Sequence, residues 1–166
     1  MPNYRRARHA GGTFFFTVVT ANRRPVLTRG RVRQALRESI QQVREAAPFA
    51  IDAWVLLPDH LHCVWTLPEN DDDYSWRWGN IKRLTTKSLG LSGEKPGLWQ
   101  SRFWEHWVRD EEDLTTHIEY ILMNPVKHGL CARVRDWPYS SFHRFVRQGR
   151  YPLDWGGVVH DGDFGE

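Results

Sequence analysis

The sequence is poor in cysteine and contains no long apolar run. Its 166 residues include only Cys63 and Cys131, neither in a CxxC motif, which is too few for a disulfide framework or a thiolate metal cage. No apolar run approaches the roughly 20 residues that a membrane helix needs. Residues 1–8 are basic but lack the apolar segment of a signal peptide. We therefore expect a soluble, cytoplasmic protein without a membrane partner.

Three common catalytic signatures are also missing. The sequence contains no GxxxxGK[ST] phosphate loop, no HExxH zinc motif and no GxSxG nucleophile motif. The sequence therefore gives no motif support to three classes of enzyme: nucleoside triphosphatases with a phosphate loop, zinc proteases of the HExxH type and serine hydrolases of the GxSxG type.

Aromatic residues are abundant. Nine Trp, eight Phe and five Tyr, within an apolar fraction of 40%, exclude a disordered chain. The length fits one domain with a substantial hydrophobic core, and no internal repeat is visible.

Acidic side chains are scarce in the first 50 residues. Ten arginines stand there against Glu38 and Glu45, so this segment carries a net charge of +8 and the rest of the chain −5. An excess of arginine favours a polyanionic partner, above all nucleic acid, because guanidinium groups bind phosphates in pairs of hydrogen bonds. The alternative is that these arginines lie on the solvent-exposed face of a helix and bind no partner.

Apolar periodicity predicts an α+β fold. Strands are predicted over residues 13–20, 49–57, 61–67 and 101–110, and helices over 31–47, over 76–91 and from 110–113 to Asn124-Pro125. The order β-α-β-β-α-β with a further helix matches the ferredoxin-like plan, an antiparallel sheet with helices on one face.

Two pairs of polar residues fall at informative positions of these elements. His60 and His62 begin the third strand, and the two-residue period places both imidazoles on one face, where they can bind a metal ion or be held in the core. On the last long helix, His117, Tyr120 and Asn124 lie together on one flank of the apolar stripe. Asn124 lies one turn after Tyr120, which pairs a nucleophile with an oxygen ligand, although packing and helix termination also explain them. Asp59 is expected to form a turn and to point away from the histidine face.

Several motifs in order resemble one family. The sequence is similar to the REP-associated tyrosine transposases of bacteria, relatives of the single-tyrosine HUH transposases of small insertion sequences, over about residues 2–145. The resemblance is carried by Tyr4-Arg5-Arg6, Leu57-Pro-Asp-His-Leu-His62, Asn80-Ile-Lys-Arg83, Leu98-Trp-Gln-Ser-Arg-Phe-Trp-Glu-His106, His117-Ile-Glu-Tyr-Ile121, Asn124-Pro-Val-Lys-His-Gly-Leu130 and Asp136-Trp-Pro-Tyr-Ser-Ser-Phe142.

The resemblance implies a chemistry for the polar pairs. His60 and His62 match the family's metal-binding histidines, and Tyr120 matches its catalytic tyrosine, which forms a 5′-phosphotyrosine with cleaved single-stranded DNA. Asn124 occupies the position of a side-chain amide that completes the metal site in the related enzymes. The implied cofactor is a divalent ion, Mg²⁺ or Mn²⁺. His117, one turn before Tyr120, is a candidate to assist its deprotonation.

The resemblance also implies a partner and a division of the chain. The expected substrate is single-stranded DNA that folds into an extragenic palindromic hairpin, and the candidate DNA-binding residues are Tyr4, Arg5, Arg6, Lys82, Arg83 and Arg102. We expect a transesterase domain over residues 1–147 and a tail over 148–166, in a monomer rather than a dimer, acting at the bacterial nucleoid. Two alternatives remain open: a hairpin-binding protein with little catalysis, and a hydrolase that uses water in place of Tyr120.

Overall fold

The computed structural model describes residues 6–166, which form a single sheet with helices on both faces. The elements are β1 (Thr13–Val19), α1 (Gly30–Ala46), β2 (Ala50–Leu56), β3 (His60–Thr66), α2 (Tyr74–Ser88), β4 (Trp104–Trp107), α3 (Glu111–Lys127) and α4 (Phe142–Arg147). Short 3₁₀ turns follow β1 and α3, at Ala21–Arg23 and Val134–Asp136. No helix among residues 6–166 is long and apolar enough to cross a membrane.

The four strands form an antiparallel sheet in the order β2-β3-β1-β4. With α1 between β1 and β2 and α2 between β3 and β4, this is the ferredoxin-like arrangement, and the predicted fold class is confirmed. Helices α1 and α2 pack on one face of the sheet, and α3, the additional helix that carries Tyr120, packs on the other.

Alternation along the two central strands separates a purely apolar core from the polar site. On β1, Phe14 and Phe16 point towards α1 and α2, whereas Phe15 points towards α3. On β3, Leu61, Cys63 and Trp65 join the first of these clusters. His60 and His62 therefore lie on the α3 face, as the two-residue period predicts.

Three predicted boundaries are wrong. Helix α2 ends at Ser88 and not at Leu91. Helix α3 continues through Pro125 to Lys127 because the carbonyls of Asn124 and Pro125 still accept hydrogen bonds, from the His128 and Leu130 amides at 3.0 and 2.9 Å. Strand β4 is shorter than residues 101–110. Thr17 pairs with Trp104, and an unbroken antiparallel register would pair Thr20 with Ser101. Thr20 instead forms a bridge with Trp99, so the segment before β4 contains two extra residues that bulge out of the ladder.

A buried arginine joins α2 to the loop after α1. Arg77 is 2% exposed and forms a bidentate ion pair with Asp71 at 2.7 and 3.0 Å. Its remaining hydrogen bonds go to the carbonyls of Ala47, Pro48 and Asp73, each at 3.0 Å. The full set of donors is satisfied in this way, which fixes the start of α2 against the loop after α1.

The two outer strands are protected differently. The β2 edge is covered by residues 139–141, where Leu56 donates to the Tyr139 carbonyl and Ser141 donates to the Trp54 carbonyl, both at 2.9 Å. The β4 edge is short, at four residues. The segment 148–166 contains no helix or strand and returns along the α3 face, where Phe164 enters the core.

Candidate active site

His60 and His62 form the first wall of a polar pocket on the α3 face. Both are buried, and their rings lie 4.8 Å apart at an interplanar angle of 81°. The Nδ1 atom of His60 is 2.7 Å from Asp59 Oδ1, and that of His62 is 2.8 Å from the Thr17 hydroxyl. Because these contacts hold both Nδ1 atoms, both Nε2 atoms are turned into the pocket.

Asp59 therefore does more than form a turn. The prediction that it points away from the histidine face is wrong, because Asp59 precedes β3 and the alternation of the strand does not extend to it. Burial alone would raise the pKa of Asp59, but hydrogen bonds and charge from His60 and Arg23 outweigh it and lower this pKa. The carboxylate is thus kept ionised against the His60 ring.

Helix α3 supplies the opposite wall. Its acidic first turn is capped by Asp110, whose carboxylate accepts from the Asp113 amide at 2.8 Å, and its apolar stripe packs on the sheet. Tyr120 and Asn124, one turn apart, project into the pocket and are 2% and 0% exposed. The Tyr120 ring lies edge-on to His62, with 5.2 Å between ring centroids. The structure thus brings together the four residues predicted to form the site.

The carboxylate of Glu166 lies between these two walls. Its Oε1 atom contacts His62 Nε2 at 2.8 Å and Asn124 Nδ2 at 2.6 Å, accepts from the Tyr120 hydroxyl, and is 3.6 Å from His60 Nε2. Its Oε2 atom lies 3.1 Å from His128 Nε2 and 3.7 Å from Lys127 Nζ. Burial would raise the pKa of Glu166, but these hydrogen bonds hold it well below its usual range. The protein's own acid thus occupies the centre of the pocket.

Phe164 positions that acid. Its ring stacks on Tyr120 with 3.7 Å between centroids and 7° between planes, and its carbonyl accepts from the Thr17 hydroxyl at 2.5 Å. No motif or periodicity in the sequence marks the segment that carries Glu166. Lys127 and His128 lie within a motif that carries the family resemblance, but the motif by itself indicates no role for them.

The polar groups of the pocket have perturbed ionisation. Burial lowers the pKa of His62 to about 4, so the ring is a neutral ligand at pH 7. Burial, reinforced by Glu166, raises the pKa of Tyr120 above its ordinary value. The phenol therefore needs a nearby cation before it can act as a nucleophile. Lys127 offers one, with Nζ 3.4 Å from the Tyr120 hydroxyl.

The donor set fits a divalent metal ion. Two buried atoms of the pocket, His60 Nε2 and Asn124 Oδ1, have no hydrogen-bond partner among the described residues. Ligand atoms of His60, His62 and Glu166 lie within 4.8 Å of one another. A cation at this point would satisfy both orphaned acceptors, and mixed imidazole and oxygen ligands suit first-row divalent ions.

A second group of metal-ligand residues does not converge in the same way. His106, Asp113 and His117 lie close together, but the two imidazoles stack at 4.4 Å with an angle of 13°. Nearly parallel rings cannot both direct an in-plane lone pair at one ion. His117 Nδ1 contacts the Asp113 carbonyl at 2.8 Å, and we find no contact with the Tyr120 hydroxyl in the described residues.

The candidate DNA-binding residues gather elsewhere, around residues 97–103. Tyr4 and Arg5 lie outside the described residues. Arg6 binds Glu105 at 2.6 Å and stacks on Phe103 at 3.7 Å. Lys82 donates to the Gln100 carbonyl at 2.8 Å, and burial lowers its pKa to about 8. Arg83 and Arg102 are exposed beside the same segment.

The chain is similar to known proteins over its full length. The profile of the family described as "Transposase IS200 like" matches residues 12–123. The REP-associated tyrosine transposase of Escherichia coli strain K12 is 51% identical over 166 residues, covering 100% of this chain and 98% of the relative. A Haemophilus influenzae protein is 43% identical over 167 residues, covering 95% of this chain and 94% of its own length. A solved structure of a REP-associated tyrosine transposase bound to a REP hairpin superimposes with a TM-score of 0.92 at 50% identity, covering 100% and 98% of the two chains.

Proposed function

The chain belongs to the REP-associated tyrosine transposases of the IS200-like family, and on this premise we propose that it cleaves and rejoins single-stranded DNA at palindromic hairpins through a covalent 5′-phosphotyrosine on Tyr120. One observation carries the proposal. Tyr120, His60, His62 and Asn124 meet in one buried pocket, where two acceptor atoms have no partner among residues 6–166. A protein that only binds hairpins has no physical need for this arrangement.

The role of each residue follows from its position. In our proposal the Tyr120 oxygen attacks the scissile phosphorus, its bond to phosphorus forms, and the bond to the 3′ oxygen breaks to leave a 3′-hydroxyl. Lys127 stabilises the phenolate by charge, and Asp59 and Thr17 hold the two imidazoles in orientation. A divalent cation held by His60, His62 and Asn124 would polarise the phosphate and neutralise its developing charge. The ion that we propose is Mg²⁺ or Mn²⁺.

Rejoining requires no nucleotide cofactor. The phosphotyrosine retains the energy of the phosphodiester bond, so a DNA 3′-hydroxyl can attack it, form a new phosphodiester and release Tyr120. This accounts for a transposase without a nucleotide-binding loop. With the tail in place the Tyr120 hydroxyl donates to Glu166, so in our proposal the phenol loses its proton to solvent only after the tail has left the pocket.

We further propose that the arginine and lysine residues around 97–103, with Tyr4 and Arg5, hold the hairpin. Arg6, Lys82, Arg83 and Arg102 form a cationic surface near β4, which suits phosphate contacts. We also propose that residues 1–147 form the catalytic domain and residues 148–166 a tail. In this proposal the protein is a monomer and acts at the nucleoid in the cytoplasm. The tail supports a monomer because it lies on the α3 face that a second copy would otherwise cover.

A denaturing gel tests the proposal. Wild type and Tyr120→Phe would be incubated with end-labelled single-stranded hairpins from repeats beside the gene, with Mn²⁺, Mg²⁺ or EDTA. We expect a protease-sensitive DNA adduct with wild type and a metal ion, and none with Tyr120→Phe or EDTA. Binding without cleavage under every ion supports the hairpin-binding alternative. Cleavage by Tyr120→Phe without an adduct identifies water as the nucleophile.

A further inference from the structure

A groove rich in arginine lies away from the tyrosine pocket, along the outer side of β2. It has a volume of about 780 Å³ and runs between α1, β2 and residues 138–144. Four guanidinium groups line it, and no described lining residue is acidic. They belong to Arg33, Arg37, Arg44 and Arg144. Asp52 interacts electrostatically with Arg144 but does not line the groove. A concentration of positive charge with no carboxylate in the lining favours an anionic ligand.

The arginines of α1 form a row. Arg33, Arg37 and Arg44 are spaced so that the row spans about 16 Å of helix at 1.5 Å per residue. A row of this length matches several successive phosphates better than one isolated anion. The row is therefore suited to a nucleic-acid backbone.

The two ends of the groove are held rigidly and its centre is open. Arg33 donates to the Thr28 carbonyl at 2.8 Å and stacks over the Tyr139 ring at 4.6 Å. Arg144 donates to the Asp52 carbonyl at 2.8 Å. Arg37, between them, is exposed and has no hydrogen bond or ion pair with any residue from 6 to 166. Its guanidinium is available to a ligand.

The floor of the groove is apolar and partly aromatic. Leu36, Ile40 and Ile51 line it, with the half-buried ring of Trp54. Cations above an aromatic floor form the usual site for an unpaired strand, whose bases stack while its phosphates meet the cations. The volume of the groove accommodates a short single strand.

We propose that this arginine groove binds a short stretch of unpaired DNA, separately from the strand that reacts at Tyr120. The inference rests on the proposed function, because it takes DNA as the substrate. β2 pairs directly with β3, the strand that carries His60 and His62. The groove residues Ile51, Trp54 and Leu56 lie on the α1 face of β2, so the groove is one strand away from the pocket and on the other face of the sheet. It also lies at the sheet edge opposite the surface formed by Lys82, Arg83 and Arg102. Two DNA segments can therefore be held on either side of the reacting tyrosine.

Substitutions that change the charge of exposed groove residues test DNA binding at this site independently of the cleavage reaction. Binding of a fluorescent oligo(dT) strand would be measured by anisotropy in EDTA at low salt. We expect Arg37→Glu to weaken binding by about fivefold or more, and to lower the slope of log affinity against log salt by about 0.7, the value for one phosphate contact. Gln41→Lys adds a cation to the groove and should tighten binding by a few-fold. Arg31→Glu is the matched control, because Arg31 is exposed on the same helix but outside the groove.

The outcomes separate a groove from an effect of net charge. Loss of affinity in Arg37→Glu, with Arg31→Glu unchanged, supports the groove. An equal loss in both variants, or none in either, overturns it. Photo-crosslinking of a 5-iododeoxyuridine strand should attach the strand to Trp54 or Tyr139, and adducts confined to residues near β4 would also overturn the groove.

The same variants distinguish this inference from the proposed function. If Arg37→Glu still forms the Tyr120 adduct at saturating DNA but has lost affinity for oligo(dT), both stand. If the adduct forms and affinity for oligo(dT) is unaltered, the groove alone fails. If no adduct forms with wild type, the proposed function fails independently of the groove.

Discussion

Replacing Phe164 by alanine should accelerate cleavage, because this ring holds Glu166 in the place that a scissile phosphate must occupy. Phe164 is 6% exposed and stacks on Tyr120. Full burial of a phenylalanine is worth about 2 kcal/mol relative to an exposed side chain. Removing it shifts the equilibrium between the inserted and the displaced tail by about thirtyfold. Because DNA binds the pocket only when the tail is displaced, the cleavage rate at limiting DNA should rise by up to the same factor.

The assay is single-turnover adduct formation with an end-labelled hairpin in excess metal ion. Val159→Ala serves as the control, because Val159 lies in the same segment but is 48% exposed. Circular dichroism before the assay establishes that Phe164→Ala is folded. An unchanged or slower rate in folded Phe164→Ala, with Val159→Ala at the wild-type rate, would refute the reasoning and leave Glu166 as a group that assists the reaction.

Three further predictions concern metal binding, pH and stability. Asp59→Ala should weaken Mn²⁺ affinity by about 10- to 100-fold in an electron paramagnetic resonance titration, with Asp154→Ala as the exposed control. The free energy of unfolding should fall by about 3 kcal/mol as pH drops from 6.5 to about 4, because only the unfolded chain readily protonates His62 in that range. Urea titrations at several pH values measure this, and a His62→Asn variant should lose most of the dependence. Arg77→Met should lower the free energy of unfolding by about 3 kcal/mol at pH 7, because Asp71 and three carbonyls lose their partner; a change below about 0.5 kcal/mol would contradict this account of Arg77.

Local periodicity predicts the parts of the site that lie within regular elements. The two-residue spacing of His60 and His62 places both imidazoles on one face of β3, and a separation of one helical turn places Asn124 next to Tyr120 on α3. The β-branched and aromatic run of β1 likewise predicts a strand, and the alternation of histidine with apolar residues on β3 predicts the face on which the site forms. These features depend on backbone geometry alone, so they can be read without knowing the tertiary structure.

Contacts that close across long stretches of chain could not be predicted in this way. Glu166 reaches Tyr120 across 46 residues through a segment without helix or strand, and no period constrains such a path. Asp59 belongs to a turn, where the alternation rule for strands does not hold. Pro125 signals a helix end locally, but the hydrogen bonds around it carry α3 two residues further, to Lys127.

The protection of the two sheet edges has a consequence for how copies of this protein behave in a crowded cell. An uncovered outer strand offers free amides and carbonyls that recruit another chain, which leads to domain swapping and fibril growth. Here Tyr139 and Ser141 take up the hydrogen-bonding groups at the end of β2, and β4 offers only four residues. The sheet is therefore a poor template for its own aggregation, even though its centre is built from aromatic and β-branched residues.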